Sequence, residues 1–283
     1  MNIGVLFNTD RLDNDEFVHY GKRLDNLGYE SLWLPELFTR DPFAAAGYLL
    51  AATQNIMLAS GIANIYARDP AATVSASNTL AELSDGRFIL GLGVSNVGLN
   101  KARGHQWQNP VSKLTEYLDA MAAVKLTCPQ PGVPVHVAAH GPKMLHAVAA
   151  KADGANTYLM PAEHVQIARA ALGESAELNT MLLCLLDEDP ETARRTARKS
   201  IMYYVGLDYY HRAWRNFGFD DNDFANGGSD ALVDRVVAWG NLDAVRARIQ
   251  QQFENGATRV VVMPIGANMG GQPDWSLLEQ LQG

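Results

Sequence analysis

Cysteine is scarce: Cys128 and Cys184 are the two in 283 residues. They stand far apart and outside any Cys-x-x-Cys spacing, which excludes a disulfide framework and a structural zinc site. Reduced thiols follow, and with them a cytoplasmic setting. No stretch approaches the roughly 18 apolar residues a membrane helix needs. The opening MNIGVLFNTDRLD has no basic lead before a long apolar run, so neither a membrane span nor a secretory signal is expected. Positive charge is short as well: 23 Lys and Arg against 31 Asp and Glu leave a formal charge of −8. That balance argues against nucleic acid or an anionic membrane as the main partner and requires any phosphate to be held locally. Internal repeats, low-complexity runs and linkers long enough to separate domains are also missing.

What is there is an alternation of short apolar runs and helical patterns. Strands are expected at Ile3–Phe7, Ser31–Leu34, Ile56–Ser60, Phe88–Leu92, Val135–Ala138, Thr157–Met160, Met181–Leu186 and Arg259–Met263. Helices are signalled at Glu16–Leu27, Pro42–Thr53, Pro70–Leu83, Ser112–Leu126, Pro142–Lys151, His164–Leu172, Pro190–Val205 and Leu242–Glu254. Eight strands with helices between them predict an α/β chain folded as one (β/α)8 barrel, a TIM barrel over residues 1–283, and 47% hydrophobic content is enough for its core. Residues 206–240, rich in Asp, Asn, Gly and aromatics, are the irregular insertion. They form either a substrate lid or a helical outer layer.

The segment Ala59–Gly93 is the most informative. Two apolar runs flank a helix that Pro70 opens, with Val74, Ala76, Leu80 and Leu83 on its apolar positions and Ser84-Asp85-Gly86 closing it. Phe88-Ile89-Leu90 is apolar without alternation, the mark of a strand buried on both faces. Glycine at each strand end opens the C-terminal edge, where α/β proteins bind ligands. Gly91-Leu92-Gly93-Val94-Ser95-Asn96 is not a dinucleotide fingerprint, because Asn96 stands where glycine or alanine is needed and the strand is the fourth. It remains a glycine-lined strand end with Ser95 and Asn96 as donors. Ala138-Ala139-His140-Gly141-Pro142-Lys143-Met144 runs a strand into a helix with proline in its first turn, and the amides of such a helix start suit a phosphate. His136 and His140 lie on a strand and its end, so they do not converge on a metal, and no metal site is expected.

Read residue by residue, Ile3-Gly4-Val5, Leu32–Glu36, the Ala59–Gly93 segment, Pro134–Leu145 and Ala152-Asp153-Gly154-Ala155 resemble the bacterial luciferase-like family of flavin and deazaflavin oxidoreductases. From the glycine alone a strand-end bulge is the plainer account of Gly61, but the resemblance implies a non-prolyl cis peptide at Gly61-Ile62 behind the cofactor ring. It implies cofactor contacts from Gly61, Ile62, Asn64, Gly93, Val94, Ser95 and Asn96, with Asn64 alternatively capping a turn. The phosphate falls to Ala139, His140, Gly141 and Met144. It implies coenzyme F420, by likeness of Trp33–Pro35 and Gly61–Arg68 to the deazaflavin branch, with FMN as the alternative. A small-molecule substrate and a homodimer are further implications. Glu36 and His105 are the catalytic candidates, Glu36 being alternatively one end of a structural ion pair. Two departures stand out: Leu37 replaces a histidine usual in the family, and Thr127–Val133 is a short proline-rich turn in place of a hairpin. Together they keep open a cofactor-binding barrel without catalysis.

Overall fold

The computed structural model describes residues 2–127, 131–266 and 272–283. Cys128 and a stretch of the proline-rich turn lie outside them. Among the described residues ten strands form: β1 (Ile3–Leu6), β2 (Ser31–Leu34), β3 (Met57–Ser60), β4 (Ala63–Asn64), β5 (Phe88–Gly93), β6 (Val135–Ala138), β7 (Gly154–Tyr158), β8 (Glu177–Leu186), β9 (Val237–Gly240) and β10 (Arg259–Pro264). All pairings are parallel, and β1-β2-β3-β5-β6-β7-β8-β10 closes on itself through Ile3 opposite Val260. This is the expected (β/α)8 barrel. The short β4 extends β3 along β5, and β9 runs beside the upper half of β8, with Leu183 opposite Val237.

Helix starts follow from local chemistry. Asp41, Asp69, Asn109 and Asp189 each accept a backbone N–H from the first turn, and each precedes a proline that needs no hydrogen-bond partner there. The fifth helix therefore spans Pro110–Ala122, starting at its cap rather than at the expected Ser112. The helix Pro70–Leu83 turns a different face inward than its apolar pattern predicts. Thr73, Ser77 and Ala81 are buried, while Leu83 is 80% exposed. Small residues win because the neighbouring helix comes close enough for Thr73 and Tyr117 to share a hydrogen bond of 2.5 Å.

Alternation along the strands divides the core. Val5, Leu32, Leu34, Leu58, Leu90, Val137, Ala155, Leu182 and Val260 pack outward beneath the helices. Leu6, Trp33, Ala59, Ile89, Met181 and Val261 fill the interior. The lower end is closed by a polar plug. Arg259 forks onto Glu30 at 2.6 Å to each oxygen and reaches Glu177 at 2.8 Å and Asn179 at 2.7 Å. Asn179 in turn donates to His136 Nδ1 and Asn156 Oδ1. Burial lowers the His136 pKa to about 4, so it is neutral within this plug.

Residues 206–240 fold into helices Asp208–Arg215 and Asp230–Val236 leading to β9. Tyr210, Trp214, Phe224, Leu232 and Val233 join Ile201, Leu159, Leu183 and Leu185 in a second apolar cluster over the ends of β7 and β8. The Trp214 indole N–H donates to the Leu159 carbonyl at 2.8 Å, which fastens this layer to the barrel.

Candidate active site

The upper end of the barrel is asymmetric. On one half the inward positions are Gly61, Gly91, Gly93 and Ala138; on the other they are Tyr158, Leu183 and Met263. Gly91 is obligatory, since a Cβ there would sit 1.9 Å from the Ser60 carbonyl oxygen. The Ser60 hydroxyl also bridges the N–H and C=O of Gly91. Above it, the Gly61–Ile62 peptide is cis, and the Ile62 side chain lies over Gly93, whose Cβ would stand 2.7 Å from Ile62 Cδ1. Ile62 and Ala138 thus close over the buried Gly93 as an apolar floor at this end.

Glu36 joins three loops at this rim. Its Oε2 accepts the Asn64 backbone N–H at 2.8 Å and Arg68 at 2.7 Å, and its Oε1 accepts Arg103 at 3.0 Å. Arg68 continues to Asp41, and Arg103 also donates to the Leu37 carbonyl. The Glu36 side chain is 7% exposed. Its oxygens are occupied by donors of the protein itself, the ion-pair arrangement considered for it from sequence.

Asn64 is buried and spends its amide locally: Oδ1 accepts the Tyr66 N–H and Nδ2 donates to Asn100. It caps the turn after β4. Val94 accepts from Asn100 at 2.7 Å, Ser95 has φ of +57°, and Asn96 caps the helix Val97–Ala102. Ser95 and the backbone of 93–95 therefore line the rim, whereas the Asn96 amide is engaged by its own helix.

At the end of β6, Ala139 is buried and donates its N–H to Asn156. His140 accepts the Tyr158 N–H through Nε2 at 3.1 Å, and its carbonyl accepts His164 Nε2 at 2.7 Å. Burial, helped by His164, pushes the His140 pKa down to about 3. Its Nε2 acts as an acceptor, so the imidazole is neutral and cannot contribute positive charge to a phosphate. Gly141 begins the helix Pro142–Lys151 with no side-chain cap, is exposed, and has open space where a Cβ would stand. Met144 follows in the first turn, its N–H already turned to the Gly141 carbonyl.

His105 sits apart from the floor, in a lateral cleft of about 620 Å³ that Tyr66, Arg68, Gln106, Lys113 and Tyr117 also line. Its ring lies 5.8 Å from Tyr66, which stacks on Trp107. Among the described residues, no three His, Cys, Asp or Glu side chains gather as a metal site, and no helix is long and apolar enough to cross a membrane.

The profile of the luciferase-like monooxygenase family matches residues 1–259. The chain belongs to that family. Among curated proteins it is 26% identical to a 5,10-methylenetetrahydromethanopterin reductase of Methanolobus tindarius, covering 89% of this chain and 91% of the relative. A protein of the same description from Archaeoglobus fulgidus is 25% identical, with 94% of each chain covered. Among solved structures, the coenzyme F420 dependent tetrahydromethanopterin reductase of Methanopyrus kandleri superposes with a TM-score of 0.77 at 18% identity, over 99% of this chain and 97% of that one. An F420-dependent secondary alcohol dehydrogenase in complex with an F420-acetone adduct gives 0.77 at 14%, over 95% and 94%. At those identities the superpositions establish the shared barrel.

Within this luciferase-like barrel, sequence reasoning missed Arg68, Arg103 and Tyr158. The two arginines sit in loops, where neither periodicity nor spacing marks a partner. Tyr158 had a usable signal, since it ends a strand. The strand was expected at Thr157–Met160 but runs Gly154–Tyr158, because the chain leaves the sheet at Leu159 with φ of +55°.

Proposed function

We propose that this chain is an F420-dependent oxidoreductase that moves a hydride between the deazaflavin and a small organic substrate. The observation carrying this reading is the one-sided mouth. A planar ring fits the small-residue floor of Ile62, Gly93 and Ala138, and the uncapped, open start of the helix at Gly141 suits its phosphate. Two of the superposing barrels, the coenzyme F420 dependent reductase and the F420-dependent alcohol dehydrogenase, support F420 as that ring, with FMN as the alternative. The bound deazaflavin would supply the hydride chemistry, and the protein supplies the seat and the orientation. Gly61 and Ile62 back the ring, Gly93 and Ser95 edge it, and Gly141 holds the phosphate through backbone amides. Glu36 keeps the three rim loops in place from outside the floor, which makes it a positioning residue in this reading. The wall of Tyr158, Leu183 and Met263 then faces the substrate.

Turnover tests it. Mixing the protein with reduced F420 and a panel of ketones and imines, or with oxidised F420 and secondary alcohols, should change the deazaflavin absorbance with at least one of them. No change with any of them, although F420 binds, would favour a barrel that holds the cofactor without catalysis.

The subunits are proposed to pair through the outer helices Pro42–Ala52 and Pro70–Leu83. These pack on each other and expose Tyr48 and Leu83 to solvent.

A further inference from the structure

We propose that Tyr158 is a catalytic residue: its phenol hydrogen-bonds the reacting oxygen or nitrogen of a C=O or C=N substrate and gives it a proton, with Tyr204 as the relay behind it. This rests on the F420 reading above and adds to it the residue that completes the reaction.

The placement follows from register. Gly93 and Ala138 belong to the floor, and Ala138 pairs in register with Asn156 on β7. Asn156 faces inward, because it accepts from Asn179 inside the barrel. Tyr158 is two residues further toward the open end, so it faces the same way and stands roughly 6–7 Å higher along the strand. Its ring packs on the interior layer of Leu6, Trp33, Ala59, Ile89, Met181 and Val261. A phenol facing inward two residues beyond the register partner of Ala138 borders the seat of a flat ring and the space that a stacked substrate takes.

The hydroxyl is poised for this exchange. It lies 3.5 Å from Met263 Sδ, a weak acceptor that a substrate oxygen readily replaces. Beside it stands the ring of Tyr204, edge-on with centroids 5.0 Å apart. Tyr204 is half-buried and touches Tyr203, which is 58% exposed, so the pair links the mouth to solvent. Burial and neighbouring phenols hold Tyr158 well above the ordinary tyrosine value, which keeps it protonated and a donor. The other titratable candidates are engaged elsewhere. Glu36 is held by two arginines, His140 Nε2 accepts the Tyr158 N–H, and His105 lines the lateral cleft.

The step balances as follows. The reduced deazaflavin, when bound, would supply as two-electron donor the hydride that forms a C–H bond at the carbonyl carbon. The C=O π pair moves onto oxygen, which takes the Tyr158 proton and leaves an alcohol. The Tyr158 phenolate recovers a proton from Tyr204, and Tyr204 recovers one from water. With an imine, nitrogen takes the place of oxygen.

Two measurements decide it. First, Tyr158→3-fluorotyrosine in the full chain is followed by fluorine NMR while oxidised F420 is added. The resonance should move with a binding curve matching the quenching of F420 fluorescence; a fixed resonance on a protein that binds F420 overturns the proposal alone. Failure of F420 to bind overturns the functional reading as well. Second, Tyr158→Phe, which keeps the ring, should leave F420 affinity within threefold. On the best substrate of the panel it should lower kcat about 100-fold or more with little change in KM. Tyr204→Phe should give a smaller loss. Wild-type kcat in Tyr158→Phe overturns the proposal.

Discussion

Glu36 accepts hydrogen bonds from two segments that are remote in sequence, Asn64–Arg68 and Arg103, which makes it the side chain on which the rim geometry most depends. Its replacement, Glu36→Gln, keeps an oxygen for the Asn64 N–H and leaves Arg68 and Arg103 short of their counter-charge. The expected cost is about 3 kcal/mol in a urea titration, together with at least tenfold weaker F420 binding. Unchanged binding would place the rim's order elsewhere. His140 has a different signature. The unfolded chain protonates this residue near its ordinary value of about 6.5, but in the folded protein the pKa is pushed down to about 3. The unfolded state therefore binds more protons between those values. The contribution is fully present above pH 6.5 and is lost as pH falls toward 3. Stability measured at pH 7 and pH 5 should drop in the wild type and drop less in His140→Gln, which retains an acceptor for Tyr158. His136 sustains some of the slope in both.

Elements differ in how openly the sequence announced them. Strand identity was legible wherever an apolar run met glycine or proline, as at Ser31–Leu34 and Val135–Ala138, which form as expected. Close approach was legible at Gly61, Gly91 and Gly93, where glycine is its trace, while the cis bond to Ile62 was implied by the resemblance. The rim was not. Arg68 and Arg103 depend on loop paths, and the burial of Thr73, Ser77 and Ala81 in place of Leu83 depends on interhelical distance. Both are properties of packing with no local pattern. Two variants probe these elements. Gly93→Ala forces Ile62 to move, so it should fold, lose about 1–2 kcal/mol and bind F420 at least tenfold more weakly. Native-like affinity would mean that the ring does not rest there. Trp214→Ala empties the second apolar cluster and should cost about 3–5 kcal/mol. Protease cleavage within 206–230 should rise before the barrel itself is cut, and simultaneous loss of both would show the layer to be inseparable from the barrel.

At the scale of the molecule, the barrel closes its lower end with the Arg259 plug and leaves its upper end half lined by glycine and alanine. With a charge of −8, such a chain has to hold any anionic group locally, the role proposed for the backbone at Gly141. The proposed pairing through exposed Tyr48 and Leu83 predicts a light-scattering mass of twice 30.9 kDa, reduced toward that of one chain in Leu83→Glu; a wild-type monomer would exclude it. The most direct test of the whole account is a fluorescence titration of the purified protein with oxidised F420 and, separately, with FMN. Micromolar binding of F420 with markedly weaker binding of FMN is the predicted result. Preference for FMN, or binding of neither, would contradict it.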